Sequence, residues 1–246
     1  MSLSRMHPDS ELQPDDKKSA DLHRGSLFLR SLPSSDLRRM ESYLELGTFT
    51  REEVIQSDGG MIEHIIFPHD VTVSMLCMMA HGASVESATV GSEGYVGVEC
   101  MLGSSVAICS AVGRQGKAST IALDRILILM DQMPALRAAM LTYAQNYLAM
   151  VSRLVACNAI HNLRQRACRR LLLALDQTEQ QSVAMTQEEL ARALGVGRTS
   201  VNQACKELRE DGLIEYSRGR IQISNVSGMT KAACDCYSYI KRAMLI

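Results

Sequence analysis

A run of hydrogen-bonding side chains near the C-terminal end of the chain has the spacing of one helix face. Arg198 begins the run, and Thr199, Asn202, Gln203 and Lys206 follow it. Residues three and four positions apart lie on the same side of an α-helix, and none of these five is acidic. Arginine can pair with guanine, and asparagine or glutamine with adenine, at base edges in the major groove of DNA. The pattern therefore predicts a DNA-recognition helix.

The residues around this face have the signals of two helices joined by a tight turn. Thr186 and Glu189 form a capping-box pattern, in which hydroxyl and carboxylate satisfy free backbone amides at a helix start. Gly-Val-Gly at 195–197 predicts the short turn between two crossed helices. The second helix is predicted from Arg198 to about Glu210. Its buried side is an apolar stripe: Val201, Ala204, Cys205 and Leu208.

Two short strands are predicted after this helix, at 213–216 and 220–223, with Ser-Arg-Gly between them. Such a hairpin forms a wing, from which Arg218 and Arg220 can reach phosphates. A winged helix used only for protein contacts is the alternative. The residues predicted to contact DNA are Thr186, Gln187, Arg198, Thr199, Ser200, Asn202, Gln203, Lys206, Arg218 and Arg220.

The apolar residues that follow Pro134 have a heptad spacing, which is typical of a helix that pairs with a second helix. We predict that they form a homodimer interface: Leu136, Met140, Tyr143, Tyr147, Met150, Leu154 and Cys157. A second apolar stripe can face the chain's own β-domain: Leu141, Ala144, Leu148, Val151 and Val155. The alternative is a single helix packed in the core of a monomer.

The N-terminal half has a different sequence pattern, because short β-rich runs alternate with turn residues from Thr48 to about Leu129. This pattern predicts an antiparallel barrel or roll. The predicted strands are 62–67, 71–78, 85–90, 106–112 and 118–123. Two short helices are predicted before them, at 25–32 and 34–46, the second opened by a capping signal.

The elements together predict an α+β fold with an N-terminal antiparallel β-roll, a long dimerisation helix and a C-terminal winged helix-turn-helix. Residues 1–21 are polar and are predicted to form a mobile tail. The further predicted boundaries are 22–131 for the sensory domain, 132–158 for the dimerisation helix, 159–226 for the DNA-binding domain and 227–246 for a C-terminal helix.

From about residue 25 onward, the chain resembles the Crp/Fnr family of bacterial regulators. The resemblance is carried by 186–191, 197–202 and 207–214 in the winged helix, and by 65–68, 91–97 and Gly116 in the β-roll. The segment 232–237 is similar to the C-terminal tails of one subgroup. The resemblance implies a jelly roll similar to cyclic-nucleotide-binding domains. The implied partners are a palindromic double-stranded DNA operator, a second copy of the chain and RNA polymerase.

The family resemblance also implies that Arg198 reads a guanine. The family's usual glutamate and arginine on this helix are replaced by Thr199 and Gln203, so its familiar operator sequence does not carry over. The corresponding effector pocket consists of Gly94, Tyr95, Gly97, Val98, Ser110 and Ala111.

No cofactor is expected. Family members that bind cyclic AMP use a glutamate where this chain has Tyr95, and an arginine that has no counterpart near Ser110 and Ala111. A buried cyclic phosphate without a cation is poorly compensated. The oxygen-sensing branch of the family holds an iron–sulfur centre with a cluster of N-terminal cysteines. These cysteines are missing here, because the first cysteine of the chain is Cys77. The histidines of the β-roll are more typical of turn or surface residues than of haem ligands: His64, His69 and His81.

The eight cysteines are expected to be reduced thiols, and no metal site is predicted. Cys205 lies inside the recognition helix, where its oxidation would place a polar group in the core stripe, so it is a candidate redox site. Cys234 and Cys236 would point to different faces of a helix, which indicates two packing thiols.

The composition is that of a globular protein, with 46% apolar residues and a net charge of −1. No apolar run reaches the ~18 residues that span a bilayer, and no secretory signal is visible, so we expect a soluble cytoplasmic protein without a membrane partner. No metal cluster, nucleophile elbow or phosphate-binding glycine loop indicates an enzyme. The chain is expected to be a DNA-binding transcription regulator. The alternative is a ligand-sensing module that regulates a partner protein without binding DNA.

Overall fold

The computed structural model of the chain describes residues 23, 25–80, 82–177, 182–217 and 219–244. The predicted mobile tail at 1–21, the wing residue Arg218 and the β-roll residue His81 lie outside these ranges.

Two short helices begin the described chain, α1 at Leu27–Ser31 and α2 at Ser34–Glu41. The prediction that the second helix continues to residue 46 was wrong. Residues Glu45–Phe49 instead form strand β1, which pairs along its whole length with a strand more than 65 positions later in the chain. Pairing with that distant strand decides the conformation of this segment, and local sequence carries no sign of it.

The β-roll consists of two antiparallel sheets. One sheet has the order β1-β7-β3 and the other β2-β6-β4-β5. The remaining strands are β2 at Glu53–Gln56, β3 at His64–Pro68, β4 at Val73–Met78, β5 at Ser84–Val90, β6 at Ser110–Gly113 and β7 at Gly116–Ala122. A short helix, α3, spans Val98–Met101. The predicted α+β class and the antiparallel β-roll are confirmed.

Two helices follow the roll, α4 at Leu123–Gln132 and the 27-residue α5 at Pro134–Ile160. Proline suits the first turn of α5, because the amide that it lacks has no partner there. An aromatic cluster joins α5 to the roll, since Tyr143 packs 4.8 Å from Tyr95 between ring centroids and Phe28 contacts both rings. The Tyr95 hydroxyl donates to the Met140 carbonyl oxygen at 2.9 Å.

The prediction for the two apolar stripes of α5 was wrong in part. Leu154 of the predicted dimer seam is half-buried, and six other residues of the seam are buried within the subunit: Leu136, Met140, Tyr143, Tyr147, Met150 and Cys157. In the stripe that was expected to face the chain's own roll, Ala144 is buried and Val151 is half-buried, but Leu141, Leu148 and Val155 are 42%, 48% and 67% exposed. Both stripes are apolar, so the spacing alone did not distinguish the side that faces the roll.

The C-terminal part is a winged helix with its own core. It contains α6 at Leu163–Asp176, α7 at Gln187–Leu194 and α8 at Arg198–Glu210, and a small sheet of order β8-β10-β9. The strands span Ser182–Val183, Ile214–Ser217 and Arg220–Ile223 for β8, β9 and β10. The two predicted wing strands are therefore present.

The predicted single C-terminal helix at 227–246 was wrong, because two helices occupy this segment. Helix α9 spans Val226–Ala232 and α10 spans Cys236–Met244. Between them the chain turns back, and α10 packs against α5 and α6. Among the described helices, none combines the length and the hydropathy needed to cross a membrane.

Candidate nucleic-acid interface

Helix α8 presents a polar face to solvent and an apolar face to the core of the winged helix. Val201, Ala204, Cys205 and Leu208 are buried. The outer face consists of exposed residues, all of them among the predicted DNA contacts: Arg198, Thr199, Ser200, Asn202, Gln203 and Lys206. The structure thus brings together, on one surface, the groups that can read base edges and contact phosphates.

The turn before α8 fixes the angle at which this face is presented. Gly195 has φ of +64°, a left-handed conformation that favours glycine, and it ends α7. At the start of α7, the Glu189 amide donates to the Thr186 hydroxyl at 3.1 Å, and the Thr186 amide donates to the Glu189 carboxylate at 2.6 Å. The capping box is therefore formed. The Thr186 hydroxyl also donates to Glu189 at 2.9 Å, so in this structure its proton is used within the domain.

The outer face of α8 is bordered by carboxylates that are not among the predicted DNA contacts. Arg198 forms an ion pair with Glu188 of α7. Gln203 donates to Glu207 at 2.9 Å, and Lys206 lies 3.8 Å from Glu210. The partners of Gln203 and Lys206 are four positions later on the helix, so the helical spacing alone would have revealed them. Arg198 and Glu188 are 68% and 54% exposed, and such pairs exchange readily for other partners.

Two of the other predicted contacts lie outside this face. Arg220 is exposed at the start of β10, while Gln187 is half-buried at the start of α7. Arg220 lines a cleft that the wing shares with the β-roll, together with Asp70 and Lys117.

A buried ion pair holds the winged helix against the β-roll. Arg170 of α6 donates from Nε to Glu86 of β5 at 2.8 Å, and both side chains are at least 93% buried. Burial opposes the charged carboxylate, but Arg170 and a hydrogen bond from Ser74 more than compensate, so the pKa of Glu86 lies below its ordinary value. Two further ion pairs join the same domains, Arg51–Glu189 and Arg192–Glu52, and the Glu189 side chain is only 11% exposed.

The predicted effector pocket is largely filled by its own side chains. Tyr95, Val98 and Ala111 are buried in the core, and the Ser110 hydroxyl accepts from the Asp58 amide at 3.1 Å. Gly94 is in such close contact with α5 that an added Cβ would lie 2.0 Å from the Tyr143 ring. A cavity of about 510 Å³ lies elsewhere, between β5, α5, α6 and α10, with Glu93 and Arg169 in its lining.

Cys205 has the environment of an unreactive core thiol. Its side chain is fully buried, and burial raises the pKa of the thiol above its ordinary value. Reactive cysteines are thiolates with access to solvent. The structure therefore argues against the redox role that the position of Cys205 in the recognition helix suggested.

Comparison with protein families shows that residues 165–232 match the Crp-like helix-turn-helix domain. Several solved structures share the fold. The c-di-GMP-responsive global regulator CLP of Xanthomonas campestris is 16% identical with a TM-score of 0.64, and the match covers 78% of this chain and 100% of that chain. A CRP-family transcriptional regulator of Thermus thermophilus is 22% identical with a TM-score of 0.64, over 76% and 96% of the two chains.

FixK2 of Bradyrhizobium japonicum is a third similar structure, 13% identical with a TM-score of 0.59 over 78% of this chain and 98% of that chain. No curated protein sequence matches the chain significantly. The predicted resemblance is confirmed, both for the helix-turn-helix domain and for the fold.

Proposed function

We propose that this protein, a DNA-binding regulator of the Crp/Fnr type, binds a palindromic operator as a homodimer. The observation that carries the proposal is the exposed polar face of α8 behind a left-handed glycine turn. A helix placed in this way enters the major groove with its first residues at base edges. Arg198 is at the first position of the helix, where a guanine contact is geometrically available.

The exposed stripe of α5 supports the proposed dimer. Leu141, Leu148 and Val155 are exposed and spaced by seven residues, so they lie in one line along a long helix, with the buried Ala144 and the half-buried Val151 between them. Such a line in water favours pairing with an identical helix. Two-fold pairing through α5 presents two copies of α8, and a symmetric operator is the matching ligand.

In vitro selection from random duplex DNA tests the proposal with the full-length wild-type protein. We expect enrichment of two inverted half-sites with centres about 34–36 Å apart, one turn of the duplex. Binding is expected to weaken steeply as salt rises, because lysine and arginine contacts release counterions from phosphate. Failure to enrich any sequence favours the second class of function, a ligand-sensing module that acts on a protein partner. Enrichment of a single asymmetric site contradicts the dimer.

The effector is proposed to differ from cyclic AMP. Tyr95 occupies the position expected for the ribose contact, and its hydroxyl is already bonded to Met140 of α5. Ser110 is bonded to the backbone of Asp58 and has no arginine next to it in sequence. Isothermal calorimetry is expected to detect no binding of cyclic AMP at micromolar concentration. Saturable binding in that range contradicts this part of the proposal.

A further inference from the structure

Four metal-binding side chains from two distant parts of the chain meet where α5 ends. They are Cys157, His161, Cys234 and Cys236, and their ligand atoms all lie within 4.8 Å of one another. The first two are one helical turn apart at the end of α5. The other two flank Asp235: Cys234 lies in the turn between α9 and α10, and Cys236 is the first residue of α10. The expectation that the last two thiols point apart on one helix was therefore wrong. We propose that the four side chains bind one Zn²⁺ ion as a structural Cys3His site.

The distances agree with ligands placed around a central ion. The Cys157 and Cys234 sulfurs are 3.6 Å apart, and the Cys236 sulfur is 3.7 Å from His161 Nδ1. In a tetrahedral zinc site with Zn–S bonds of about 2.3 Å and Zn–N bonds of about 2.0 Å, ligand atoms are separated by about 3.5–3.8 Å. Thiolate and imidazole ligands select zinc over magnesium and calcium, which prefer oxygen.

Asp235 completes the environment of the histidine. Its carboxylate lies 3.4 Å from His161 Nε2, and it receives a hydrogen bond from Arg153. A carboxylate on the far ring nitrogen fixes the tautomer of a metal-bound histidine and increases the basicity of the ligating nitrogen. The arrangement therefore directs Nδ1 toward the three sulfurs.

A buried positive charge next to the cluster is complementary to the charge of the proposed zinc–thiolate group. Zinc with three thiolates has a net charge of −1, whereas Arg169 beside Cys157 and Cys234 is 4% exposed. In the ranges that the structure describes, Arg169 forms no ion pair with a carboxylate, and its Nε has no hydrogen-bond partner. Arg169 also lines the cavity of about 510 Å³, and a cation this deeply buried is stabilised by a counter-charge beside it. The zinc–thiolate group supplies that counter-charge.

Metal analysis of the full-length protein, purified under reducing conditions without chelator, tests the proposal. We expect one zinc per chain by mass spectrometry. Co²⁺ added to the metal-free protein should give thiolate charge-transfer absorption and the visible bands of a tetrahedral ion. Cys236→Ser and His161→Ala are expected to lose zinc to a competing chelator at concentrations at which the wild type keeps it. Cys168→Ser, a buried thiol of α6 outside the cluster, is the matched control and should keep one zinc.

Asp235→Asn keeps all four ligands and covers the case in which a ligand variant fails to fold. We expect it to bind zinc about 10–100-fold more weakly, because the histidine loses its carboxylate partner. Three results overturn the proposal: a metal-free wild type that takes up no Co²⁺ at equal concentration, retention of iron in place of zinc, or a Cys157–Cys234 disulfide in the protein as purified. Equal zinc affinity of the wild type and all the cluster variants also overturns it.

Discussion

Helices α8 and α5 differ in how well their own sequences predict which face is buried. Helix α8 has one apolar and one polar face, and the structure places them inward and outward as predicted. Helix α5 has apolar residues on both sides, and the stripe predicted to form the dimer seam is largely buried within the subunit. An amphipathic helix encodes its orientation, because only one face gains free energy by leaving water. A helix that is apolar on two sides does not encode which side faces its own subunit.

The arginines of the DNA-binding domain repeat this contrast between inward and outward surfaces. Arg170 is buried with Glu86, whereas Arg198 is exposed with Glu188. Breaking the buried arginine–glutamate pair is therefore expected to cost more free energy than breaking the exposed one, since removing one partner of a buried pair leaves an uncompensated charge.

Glu86→Gln is expected to have the largest effect, lowering the free energy of unfolding by about 3–5 kcal/mol at neutral pH. The pKa of Glu86 is lowered in the folded protein. The stabilisation of the fold by the ionised carboxylate is therefore complete above the ordinary pKa range of a carboxyl group, and it is lost as the pH falls through the lowered pKa. Denaturant unfolding of wild type and variant across pH should show curves that converge in acid. Glu52→Gln, which breaks the exposed pair with Arg192, is the control, with an expected loss below about 1 kcal/mol.

Leu148→Asp tests the exposed stripe of α5. Placing a carboxylate in an apolar interface is expected to weaken dimerisation by at least about 2 kcal/mol, roughly thirtyfold in Kd, with little change in subunit folding. Analytical ultracentrifugation measures the dimer. Met140→Ala, in the buried stripe, is expected to do the reverse: it should lower unfolding free energy by about 2–5 kcal/mol and leave dimerisation of the folded protein intact. Exchange of these two outcomes would restore the original assignment of the stripes.

Arg198→Ala is expected to cost about 1–3 kcal/mol in operator binding and to relax the preference at one base position in each half-site. The reason is loss of a bidentate contact to a guanine edge. Fluorescence anisotropy with the selected operator and single-base variants measures both effects. An equal loss on every sequence would instead identify Arg198 as a phosphate contact.

Glu188→Gln is expected to have the smallest effect, strengthening DNA binding by about 0.2–1 kcal/mol. The substitution releases Arg198 from its ion pair and removes a negative charge beside the phosphates. The gain should shrink at high salt, because exposed charges are screened. Asp131→Asn, an equal change of charge on α4, is the control and should leave binding unchanged. Weaker binding by the Glu188 variant would show that the ion pair positions Arg198 for DNA.

The features that sequence could predict are those fixed by neighbours in the chain. The capping box of Thr186 and Glu189, the turn at Gly195 and the buried stripe of α8 all depend on spacings of a few residues. Strand β1 depends on pairing with β7, and the Glu188 pair depends on how α7 meets α8. The cysteine cluster depends on residues 77 positions apart. A pattern over a few neighbouring residues cannot predict contacts between residues that are this far apart in the sequence.

The cluster at the end of α5 also fixes where the DNA-binding domain is attached. The chain enters this domain just after His161 and leaves it at Cys234, and these residues lie in one group of contacting side chains. Both crossings therefore lie at a single corner of the molecule. The Glu86–Arg170 pair joins the same domain to the roll at another place, between α6 and β5. An ion held by the four side chains would tie the two connections of the domain to each other.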